Sequence, residues 1–147
     1  LLREVGAWMK INGEGIYAST AWKIIGEGET VVDSARTNQP PRLKTPPGRG
    51  GMGQAHADFK FSEQDFRFTV GKDGSLYAWC MTLPKPGTTL TIKSLGADAK
   101  LLASPIKSVT LLGSKARLDW KQTAAGLVIQ YPTSSKLKMA VGFKINL

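Results

Sequence analysis

From Phe59 to its end the chain alternates short apolar, β-branched runs with turn residues, a spacing that suits strands of a few residues and little else. Phe66, Phe68 and Val70 alternate with Arg67 and Thr69, and Lys72-Asp73-Gly74 carries a hairpin signal before a returning strand over Leu76 to Leu83. Pro84-Lys85-Pro86-Gly87 stops that strand. Leu90 and Ile92 alternate with threonines, and further runs cover Ile106 to Leu112, Leu118 to Trp120, Leu127 to Tyr131 and Met139 to Ile145. Turn chemistry falls between them at Gly96, Gly113-Ser114, Ala125-Gly126 and Pro132-Thr133-Ser134. About seven or eight short strands so closely spaced predict a mainly β fold, an antiparallel β-sandwich over residues 58–147.

The first dozen residues follow a different period. Leu1, Leu2, Val5, Trp8 and Met9 fall within an arc of about 120° at 100° per residue, with Arg3 and Lys10 opposite, which predicts one N-terminal helix. Asn12-Gly13 supplies its stop, the glycine suiting a left-handed cap. Gly6 inside the helix suggests close backbone packing there. No Ser, Thr, Asp or Asn caps the start, and the apolar stripe is large to leave in water. The helix is therefore expected to begin upstream of Leu1 and to pack on something outside this sequence.

Residues 15–57 read as a connecting segment. An Ile16 to Thr20 stretch and Trp22-Lys23-Ile24-Ile25 lead into Gly26-Glu27-Gly28-Glu29, then into a linker holding Pro40, Pro41, Pro46 and Pro47 and the Gly48 to Gly53 run. That glycine run lacks the Gly-Lys-Ser/Thr ending of a phosphate loop and follows no strand.

The net charge of +9 raises the question of nucleic acid, whose phosphates call for Lys and Arg gathered on one surface. Here the basic residues are spread along the chain, in pairs at most (Arg42/Lys44, Lys115/Arg117, Lys136/Lys138), with no RNP-like motif and no zinc-finger spacing. A solvated basic surface is the plainer reading. No apolar run approaches the roughly 20 residues that span a bilayer, so neither nucleic acid nor membrane is an expected partner.

The residues able to do chemistry are few and scattered. Glu27 and Glu29 lie in a Gly-rich turn, Asp73 in a hairpin turn, and Asp65 and Asp119 beside strands, all ordinary turn and cap positions. Glu14, following Asn12-Gly13, is placed to hold an arginine or backbone amides at a domain junction. His56 and Cys80 are single, and a metal site needs three or four ligands. One cysteine also forbids an internal disulfide. Trp22, Trp79, Trp120 and Tyr131 could stack on sugar rings, against a plainer role in packing, and Trp8 belongs to the helix stripe.

Several of these stretches resemble one family in the same order. Trp8-Met9-Lys10-Ile11-Asn12-Gly13-Glu14-Gly15-Ile16-Tyr17 is similar to the segment that closes the catalytic barrel of α-L-fucosidases, with Gly15 where alanine is usual. Asp65 to Thr69 with Leu76-Tyr77-Ala78, Ile92 to Gly96, Val109 to Gly113, Leu118 to Trp120, and Gly126-Leu127 followed by Pro132 continue the likeness, whereas residues 38–57 match no block. The resemblance implies a C-terminal β-sandwich preceded by a closing helix over residues 1–14. In a (β/α)₈ barrel catalytic groups sit at the C-terminal ends of the strands, so Asn12-Gly13-Glu14, at the foot of the helix, would lie on the opposite, stability face. The family resembles retaining glycosidases, whose two carboxyl groups stand about 5–5.5 Å apart across the scissile bond. Both belong to the barrel, and no catalytic, cofactor-binding or metal-binding residue is assigned to this chain, which is expected to be inactive alone.

The expected partners are that barrel and, through it, a fucosylated glycan. Homo-oligomer contacts or the outer rim of the substrate site are further roles open to the sandwich. The family resemblance implies an extracellular, periplasmic or lysosomal setting. The competing expectation is a free-standing carbohydrate-binding module whose tryptophans hold a glycan.

Overall fold

The computed structural model describes residues 1–28, 31–32, 42–43 and 61–147. Helix α1 (Leu2–Asn12) runs into a 3₁₀ turn (Gly13–Gly15) and then into β1 (Thr20–Glu27). Two short strands, β2 (Val31–Val32) and β3 (Arg42–Leu43), pair with each other. The remaining strands are β4 (Phe66–Val70), β5 (Leu76–Cys80), β6 (Thr89–Ile92), β7 (Ser108–Leu111), β8 (Asp119–Gln122), β9 (Leu127–Gln130) and β10 (Val141–Asn146).

A five-stranded sheet in the order β1-β4-β5-β10-β7 faces a three-stranded sheet in the order β6-β9-β8, and every pairing is antiparallel. This is the expected sandwich. The period of two in the sequence becomes physical in the register. Phe68, Ala78, Phe143 and Leu111 stand side by side across four strands of the large sheet, and Leu90, Ile129 and Trp120 across the small one. These rows meet in one core, to which Phe66, Ile92, Leu127 and Ile145 also belong, all fully buried. Each such side chain contributes about 1.5–3 kcal/mol of apolar burial.

The β4–β5 hairpin turns where Lys72-Asp73-Gly74 predicts it. Gly71 N–H donates to the Ser75 carbonyl at 2.9 Å, and Gly74 takes φ +83°. At the start of β4 the carboxylate of Asp65, 1% exposed, accepts from the Ser62 amide and hydroxyl at 2.7 and 2.9 Å.

Some expectations change. Thr20–Glu27, inside the expected connecting segment, forms the edge strand of the large sheet, with Trp22 and Ile24 packed against the core. A register shift between Ala21 and Gly26 hides that role, because a bulge breaks the alternation that sequence reading relies on. The strand after the hairpin ends at Cys80 rather than Leu83. Gly13 adopts a right-handed conformation (φ −58°), so α1 tightens into the 3₁₀ turn without a left-handed cap; a Cβ there would lie 2.7 Å from the Tyr17 ring. Gly6 has open space where its Cβ would be, so close packing does not account for it. His56, Glu29 and nearly all of the Pro/Gly-rich stretch lie outside the described residues.

Candidate functional site

β5 is buried along its whole length, on both faces. Leu76, Ala78 and Cys80 point into the sandwich, so Tyr77 and Trp79 must point out of it. What covers them is the N-terminal segment. The Trp8 ring lies 5.8 Å from the Trp79 ring at 49°, and its indole N–H donates to the Ala140 carbonyl at 2.6 Å. Tyr77, Trp79 and Leu112, with Trp8 and Met81 packed on them, form a second, smaller core on the outer face of the large sheet.

Glycines make room for it. A Cβ at Gly15 would sit 2.6 Å from both Trp79 and Tyr77 ring atoms, and one at Gly142 would sit 2.5 Å from the Trp79 indole. The alanine of the resembling segment would therefore press on both rings if placed at Gly15. Hydrogen bonds fix the approach. The Thr69 hydroxyl donates to the Gly15 carbonyl at 2.8 Å and accepts from the Trp79 indole N–H at 2.9 Å.

Glu14 closes the junction. Its Oε2 accepts from the Tyr77 hydroxyl and from Lys144 Nζ, each at 2.9 Å, and Asp73 stands 3.6 Å from the same ammonium. The Lys144 hydrogen bond is the main reason the Glu14 carboxyl is held below its ordinary value, with the Tyr77 hydroxyl adding to it. Lys144 is raised in turn, chiefly by Glu14. Burial, more than the neighbouring carboxylate, pushes the Tyr77 phenol up, so it remains a protonated donor. Glu14 holds a lysine and a tyrosine where an arginine or backbone amides were expected.

The other candidates take up structural positions. Glu27 accepts from the Lys93 and Ser94 amides at 2.8 and 2.7 Å, capping the 3₁₀ turn Lys93–Leu95. Asp73 accepts from the Ser75 amide at 3.0 Å. Cys80 is fully buried and its thiol is pushed up to about 11 by desolvation. Trp79 and Tyr131 are buried, while Trp22 and Trp120 pack against the main core, Trp22 edge-on to Phe68 at 5.1 Å. Among the described residues no group of three or more His, Cys, Asp and Glu side chains is close enough to hold a metal. Sequence reading missed Lys144 and Gly142 as members of the junction. The available signal was the unbroken apolar run of β5, which marks a strand covered on both faces.

Beyond the junction the N-terminal segment stays bare. Leu1 is 89% exposed, Leu2 87% and Tyr17 67%, and Val5, Ile11 and Ile16 are open too; Leu83 and Met139 are the large apolar residues exposed elsewhere among those described. Exposed apolar surface gathered in one place is a general feature of interaction sites and ligand grooves.

Fold and site together define a two-sheet antiparallel β module with a helix packed over the outer face of its large sheet. Residues 60–147 match the family model of the alpha-L-fucosidase C-terminal domain, and the chain belongs to that family. A comparison with curated proteins finds no match to this chain.

Proposed function

We propose that this chain is the C-terminal accessory domain of an α-L-fucosidase and braces a catalytic barrel through its N-terminal segment. The observation that carries this reading is the family match over residues 60–147. The bare apolar surface of residues 1–17 supports it, because a helix pinned by Trp8 and Glu14 on one side and open on the other suits a connector between two bodies. In the parent enzyme, α-linked L-fucose would be hydrolysed from glycans with retention by a pair of carboxylates on the barrel. The sandwich supplies rigidity, and Glu14, Lys144 and Tyr77 fix the angle at which the helix leaves it.

The test uses an aryl α-L-fucoside and three samples: this chain, an α-L-fucosidase catalytic domain produced without its C-terminal domain, and the two joined in one polypeptide. The expected result is no fucose release from the chain alone and a longer thermal half-life of activity for the joined protein. Release by the chain alone at enzymatic rates, or an unchanged half-life on joining, would overturn the reading.

A further inference from the structure

We draw no further inference here: the strongest candidate, the polar cleft of about 450 Å³ between the end of β1, residues 62–64 and β6, has its two carboxylates, Glu27 and Glu63, already accepting from the amides of Lys93, Ser94 and Lys85, and nothing in the structure shows what fills it.

Discussion

Glu14 and Lys144 lie 130 residues apart in the sequence and 2.9 Å apart in the fold, and their ion pair ties the N-terminal turn to the last strand. Tyr77, between them on the central strand, donates to the same carboxylate oxygen. The helix and the sandwich therefore meet through a fixed polar clamp laid over an aromatic one.

That clamp has a defined pH dependence. The Glu14 carboxyl is lowered in the native state, so the unfolded chain binds the proton more tightly. The stability it contributes is fully present above the unfolded carboxylate value and is lost as pH falls through the lowered native one. Lys144 is raised, so it keeps its charge throughout that window. Glu14 is half exposed, which limits the pair to about 1 kcal/mol or less. Denaturant melts of Glu14→Gln should show a small loss at neutral pH and a shallower fall below about pH 5 than the unsubstituted chain. Parallel pH profiles would refute the assignment.

Gly15→Ala should destabilise by about 1–3 kcal/mol, because the new methyl group meets ring carbons of Trp79 and Tyr77 that are themselves packed. Restoring space with Trp79→Leu in the same chain should recover part of the loss, a coupling that a double-mutant cycle reads directly.

Trp8→Ala removes the lid of the second core and leaves the Ala140 carbonyl without its 2.6 Å donor. The expected cost is about 2–3 kcal/mol, toward the low end of aromatic truncations because Trp8 is only half-buried. Deleting residues 1–12 should go further and expose Tyr77 and Trp79, which a rise in binding of an apolar dye would register. A deletion variant that melts as the full chain does would show the helix to be dispensable.

Cys80 should resist a thiol reagent at pH 8 in the native state, since it is fully buried and its thiol is pushed up to about 11. It should react at once in denaturant. Rapid native labelling would mean that β5 opens locally, contrary to its covered position between β4 and β10.

Much of the architecture was written in local pattern. Alternation at Phe66-Arg67-Phe68, the Lys72-Asp73-Gly74 turn and the Leu90/Ile92 pair each state which face is apolar and where the chain reverses, and strands obey both instructions with little outside help. The heptad-like spacing of Leu1, Val5 and Trp8 fixed the helix in the same way.

The junction was a product of tertiary structure alone. Nothing near Glu14 announces Lys144, nothing near Trp79 announces Gly15 and Gly142, and β1 lost its signature to a bulge. Local sequence encodes the period of a strand and the chemistry of a turn. Which outward-facing residue meets which distant neighbour depends on strand order and register, and those emerge only when two sheets and a helix bury their apolar faces together.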